Sequence, residues 1–215
     1  MKILKGVQKN RGRNRGMTYV ELIVVFTIFS SLSAVVLFNY NAFQSRIDIK
    51  NLSNDIALKI ADAQKSSISG RIPPGAQGTA YTSNPTLKPS YGVYFNPSED
   101  NEVFTFFTDL DQDSAYDTTT CPGSGECLER ISITKGNTID ASSPNYPLSV
   151  FYTEDTTPYP LADLTVLFVR PSATAIIRSS TSFTSTVNYV QISVLSPKGA
   201  AATIRVYPSG KIEIR

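Results

Sequence analysis

The chain has 215 residues, room for one ordinary domain plus an extended segment. Histidine is absent and there are two cysteines, which excludes Ser-His-Asp and Cys-His nucleophiles, imidazole metal sites and a structural zinc cage. The net charge of +2 hides segregation: six cations and no acid in residues 1–16, thirteen acids against Arg130 and Lys135 in 97–163, and six cations against Glu213 alone in 170–215.

The first predicted element is a helix. Residues 1–16 form a basic leader carrying Lys2, Lys5, Lys9, Arg11, Arg13 and Arg15. From Met17 to Tyr40 the chain carries one charged residue, Glu21, and is long enough as a helix to cross a hydrocarbon core of roughly 30 Å. The basic leader predicts a cytoplasmic N-terminus, with the rest of the chain on the far side. A carboxylate at the centre of such a helix costs about 2.5–3.5 kcal/mol, less near the interface, so Glu21 calls for a partner. Two plainer readings stand beside this one: a secretory signal with Ser31 and Ser33 before Ala34, and a simple membrane anchor. Neither gives Glu21 a role.

The helical pattern continues. Ile49, Leu52, Ile56, Ile60 and Ala63 recur at spacings of three and four, and no Pro or Gly interrupts Met17 to Ser69. Gly70 and Pro73-Pro74-Gly75 end the run. The implied helix is about 50 residues, or roughly 75 Å. Residues 17–40 would be its transmembrane half and 41–70 an amphipathic extension. Residues 71–90, rich in Pro, Gly, Ser and Thr, read as a connecting loop, and no helical period is evident beyond residue 75.

Residues 91–215 read as β-rich. The predicted strands are Tyr91–Phe95, Val103–Thr108, Arg130–Thr134, Leu148–Tyr152, Leu164–Arg170, Thr174–Arg178, Val187–Leu195, Thr203–Tyr207 and Lys211–Arg215. Tyr207-Pro208-Ser209-Gly210-Lys211 predicts a tight hairpin. The expected fold is α+β, one long N-terminal helix packed on a C-terminal β-sheet domain.

Three features of this region offer chemistry. Asp109, Asp111, Asp113 and Asp117 are spaced so that a tight loop could turn them onto one hard cation such as Ca²⁺. Ser114 and Thr120 stand where an EF-hand needs Gly and Glu, so Glu126 or Glu129 would have to help, and a solvated acidic turn is the plainer reading. Cys121 and Cys127 enclose Pro-Gly-Ser-Gly-Glu, a loop able to close as a disulfide in an oxidising compartment; two free thiols are the alternative. Arg170, Arg178, Lys198, Arg205, Lys211 and Arg215 could form a face for DNA phosphates or for the acidic region of a neighbouring subunit. A glycosidase reading of the carboxylates lacks cleft-forming aromatics beyond Tyr116, and no enzyme activity is expected.

The run Arg15-Gly16-Met17-Thr18-Tyr19-Val20-Glu21-Leu22 followed by an apolar stretch resembles the prepilin signal of type IV pilins and pseudopilins. Met17 departs from the usual Phe, and Tyr19-Val20 from the usual Leu-Ile. Tyr91–Phe95, Phe107–Asp111, Leu167–Pro171 and Ile204–Ile212 are similar to minor pseudopilins of type II secretion. This similarity implies that the β-sheet domain is antiparallel, in one or two sheets. The resemblance implies cleavage after Gly16 by a membrane prepilin peptidase and N-methylation of Met17. It implies pairing of Glu21 with the Met17 amine of a neighbour, which sets the register of a filament. The implied partners are other pilin-like subunits, an inner-membrane assembly platform with its ATPase, and lipid. The implied location is a single-pass inner membrane protein whose globular part joins an extracytoplasmic filament.

Overall fold

The computed structural model describes residues 16–84, 86–116, 121, 125–140 and 146–215. It divides into two compact units, Met1–Asn41 and Ala42–Arg215. Helix α1 (Tyr19–Ser69) is the long helix that the sequence pattern predicts. At its start Thr18 Oγ1 accepts the backbone N–H of Glu21 at 3.3 Å, an N-cap with the acid three residues on. At its end Gly70 adopts φ +63°, Gly70 N donates to Ser67 O, and Arg71 N donates to Ser66 O. These two bonds satisfy carbonyls that the helix leaves open, and glycine accepts the left-handed turn without a Cβ clash.

Among the described residues the second unit contains α2 (Gly75–Ser83) and eleven strands. In chain order these are β1 (Ser90–Phe95), β2 (Val103–Thr108), β3 (Cys127–Ser132), β4 (Thr138–Ile139), β5 (Leu148–Tyr152) and β6 (Asp155–Pro160). They continue as β7 (Leu164–Val169), β8 (Ala175–Arg178), β9 (Val187–Leu195), β10 (Ala201–Val206) and β11 (Ile212–Ile214). Two antiparallel sheets result, of order β3-β2-β1-β7-β8 and β11-β10-β9-β5-β6, with β4 also paired to β9.

Ile49, Ile56, Ile60 and Ala63 of α1 join one core with both sheets. Tyr91, Val93, Phe95, Val166 and Phe168 come from the first sheet; Val150, Val190, Ile192, Val194 and Ile204 come from the second. Alternation along each strand produces these faces, since successive side chains point to opposite sides. Polar contacts fix the helix in rotation. Lys59 pairs with Glu129 at 2.7 Å, and Lys135 with Asp48. Ser67 Oγ donates to Phe168 O at 2.6 Å, and Gln64 Nε2 donates to Ala173 O and Gly210 O. The hairpin at Tyr207–Lys211 forms as expected, with Gly210 at φ +85°.

Several sequence expectations need correction. Residues 71–90 are not all loop. In α2, Gln77 and Tyr81 are buried on one side, and their side chains donate to Gly125 O and Asp109 O. Tertiary hydrogen bonds hold a nine-residue helix whose two glycines give it poor intrinsic propensity. β3 begins at Cys127 rather than Arg130, because Phe107 pairs with Cys127, and it ends at Ser132 ahead of a turn with Lys135 and Gly136 at positive φ. β4 is too short to leave a pattern. β6 carries Pro158 and Pro160, residues that argue against a strand except at an edge, where β6 lies.

The first sheet buries its second face too. Phe107 and Leu167 both register opposite Gly92 and are fully buried. A Cβ on Gly92 would stand 2.6 Å from the Phe107 ring and 2.9 Å from Val166 O. Gly92→Ala is therefore expected to destabilise the fold by about 1–3 kcal/mol through overpacking. Denaturant unfolding of the full chain in detergent checks this, and an unchanged midpoint would contradict the packing account.

Candidate functional site

Two regions carry the functional expectations. The first is the α1 segment within Met1–Asn41. Among its described side chains the apolar ones are exposed, Tyr19 at 78% and Phe29 at 67%, and none of its most apolar stretch is buried. Among the described residues it is the one helix long and apolar enough to cross a membrane. Glu21 lies in the first turn, where the helix dipole favours a carboxylate. Sequence reasoning passed over Thr18, although Thr-x-x-Glu ahead of an apolar run is a capping signature. Gly16 and Met17 precede the helix, and Met17 is exposed. Leader residues 1–15 lie outside the described residues.

The second region lies over the outer face of the first sheet. The chain leaving β2 turns sharply at Asp109, a residue 1% exposed. Its carboxylate accepts backbone N–H groups from Gln112 at 2.6 Å and Ser114 at 3.1 Å. Gln112 and Ser114 both have positive φ, near 66° and 69°, and these two bonds help hold that conformation. Asp111 and Asp113 accept the N–H two residues on, at Asp113 and Ala115. Tyr116 then packs its ring on Tyr94 and Phe107, with centroids 4.9 and 5.2 Å away. The loop is thereby seated on the sheet.

Of the four predicted cation ligands, Asp109 and Asp111 lie together and Glu126 joins them, each offering an oxygen within 4.8 Å of the others. Asp113 turns to Ala115 instead, and Asp117 lies outside the described residues. Glu126 is buried and accepts Leu110 N at 2.9 Å. Asp109 and Glu126 are buried, while Asp111 is exposed. Burial pushes Asp109 up to about 6, against the lowering effect of its two backbone donors, and the charges of Asp111 and Asp113 add to the rise. Burial likewise raises Tyr81, which donates to Asp109 O.

Cys121 and Cys127 form the disulfide, with Cα atoms 5.2 Å apart. Cys127 is buried at the start of β3, so the bridge ties the loop's return to the sheet.

The six cations of 170–215 do not form one cluster. The Arg170 guanidinium lies against Gly70 at the C-terminal end of α1, where a cation meets the negative end of the helix dipole. Arg178 is on β8 of the first sheet, and Lys198 lies in the turn between β9 and β10. Arg205, Lys211 and Arg215 share one face of the second sheet around Glu213. Arg205 also stacks over Tyr189 and donates to Gln191, and Lys211 stacks over Tyr207. Comparison of the chain with protein-family models, curated proteins and solved structures finds no match.

Two expectations follow from the loop. A carboxyl raised in the folded state keeps its proton while the unfolded one has lost it. Stability is then highest below the unfolded value of 3.8 and is lost as pH rises toward 6. The Asp109 contribution to that loss is at most about 3 kcal/mol. Unfolding series from pH 4 to 7 on the full chain and on Asp109→Asn should differ by this slope, and parallel profiles would contradict it. Reducing the Cys121–Cys127 bridge should cost about 2 kcal/mol from loop-closure entropy, read as a lowered Tm with and without reductant.

Proposed function

We propose that this chain is a minor structural subunit of a type IV pilus or a type II secretion pseudopilus, stored in the inner membrane before it joins a filament. One observation carries the reading: a single acid, Glu21, at the start of an exposed apolar helix and five residues beyond Gly16 of a basic leader. The exposed side chains from Tyr19 onward require lipid or protein around them, since a continuous apolar surface of this size is not stable in water.

In this reading the leader holds the N-terminus in the cytoplasm and a prepilin peptidase cuts after Gly16. Met17 then carries the new α-amine, which is methylated and stays cationic. Inside lipid or a filament core, neither that amine nor Glu21 is well solvated. Pairing the amine of one subunit with Glu21 of the next offsets both penalties and fixes their axial stagger. The cap made by Thr18 keeps the first turn helical up to Glu21. The β-rich unit outside the membrane supplies the lateral surface of the filament, and the disulfide suits an oxidising compartment.

Intact-mass and N-terminal peptide analysis of the protein from its native membrane tests the processing step. The expected chain begins at N-methylated Met17. A start at Ala34 means a secreted soluble protein, and an uncut chain in a strain with active peptidase means a plain anchor; either result overturns the proposal. Glu21→Ala should be cleaved normally yet fail to enter filaments. Thr18→Ala should weaken the helix start by about 1 kcal/mol and still assemble.

A further inference from the structure

Among the described residues β11 is the outermost strand of its sheet, paired with β10 alone. Thr203 and Arg215 exchange both backbone hydrogen bonds at 2.9 Å, and Tyr207 N donates to Lys211 O at 2.9 Å. Antiparallel pairing alternates, so Ile212 and Ile214 occupy the non-bonded positions between these pairs. Their N–H and C=O groups point away from β10, toward the open edge. Such an edge is a ready template for another strand.

A cleft of about 580 Å³ runs beside this edge, lined by Asn54, Ala57, Leu58 and Ala61 of α1 and by Ile212 and Ile214. Leu58 is 67% exposed and Ile214 38%. The two alanines leave room for incoming side chains, while Leu58 and the isoleucines offer them apolar walls. A second cleft of about 500 Å³ shares Ile214 and extends the seam past Arg46, Lys50 and Arg215. Among the described residues only Arg215 of these three has a carboxylate partner, Glu213. The seam is therefore apolar along its length and cationic at one end.

We propose that this seam binds an extended, apolar strand from a different polypeptide, one with acidic residues at its end, by adding it to β11. The charges oppose a second copy as the occupant. β11 against β11 in antiparallel register, Ile212 opposite Ile214, sets Lys211 against Arg215 and Glu213 against Glu213, and like charges directly opposite destabilise a pair. β8 would bring Arg178 to an already cationic seam, and the prolines of β6 remove donors from its edge. An acid-bearing partner strand meets none of these obstacles. The inference reaches beyond the filament reading and does not depend on cleavage after Gly16.

The test uses the full chain in detergent micelles and a labelled nonapeptide of alternating valine and threonine with glutamate at both ends. Fluorescence anisotropy reads the binding. The same peptide with lysine at both ends should bind about tenfold more weakly, and Lys50→Glu should largely abolish that preference. Ile214→Pro removes an edge N–H that β10 does not use, and it should weaken the glutamate peptide about tenfold. Leu58→Lys alters only the exposed helix side of the cleft, and it should weaken the peptide as well should Ile214→Pro unfold. No binding to the unaltered chain, equal binding of both peptides, or undiminished binding to both variants would overturn the proposal. Self-association of the chain that Ile214→Pro abolishes would also overturn it, by assigning the seam to a second copy.

Discussion

The globular unit depends on one stripe of side chains serving two sheets at once. Ile49, Ile56, Ile60 and Ala63 lie on a single face of α1, and the inner faces of both sheets meet that stripe in one core. Ile56 and Ile60 are fully buried, each contributing about 1.5–3 kcal/mol through removal of apolar surface from water. The polar contacts around the stripe select its orientation more than they add stability. Lys59–Glu129 and Lys135–Asp48 are exposed or half-exposed pairs, of a kind worth little in water. They do set which turn of the helix faces which strand.

The first sheet carries a second, smaller burial on its far side, and the acidic loop is its cover. Gly92 leaves space for the Phe107 ring, Phe107 supports Tyr116, and Tyr116 anchors the chain just beyond the turn at Asp109. α2 closes the same side through Gln77 and Tyr81. Aromatic packing and a covalent bridge seat the loop. What the acids contribute is local. Asp109 straps its own turn through backbone N–H groups, and its burial beside other carboxylates leaves it readily protonated.

Charge segregation along the chain acquires a different meaning once the chain is folded. The basic stretch at the C-terminal end is contiguous in sequence, yet its members serve several local purposes. Arg170 lies against the helix end, Arg205 and Lys211 stack on tyrosines, and Lys211 and Arg215 surround Glu213. Arg46 and Lys50 of α1, far away in sequence, come to border the same cleft as Arg215. A cationic site thus arises from residues that no linear window groups together.

Local signals in the sequence were enough for the helix and its end, because a 3.6-residue stripe and Gly70 are each short-range devices. The hairpin at Tyr207–Lys211 and the strands β1, β2, β5 and β9 were legible for the same reason: alternation and turn chemistry act over a few residues. The disulfide was suggested by a spacing that a short loop can close. The partition into two sheets, the place of β6 at an edge and the existence of α2 were decided by contacts between residues far apart in the chain. Gln77 reaches Gly125 and Cys127, and Tyr81 reaches Asp109. The grouping of Glu126 with Asp109 and Asp111 belongs with these, because β3 must return beside β2 before the carboxylates meet. Periodicity and propensity report what one segment prefers by itself; only tertiary packing determines which segments become neighbours.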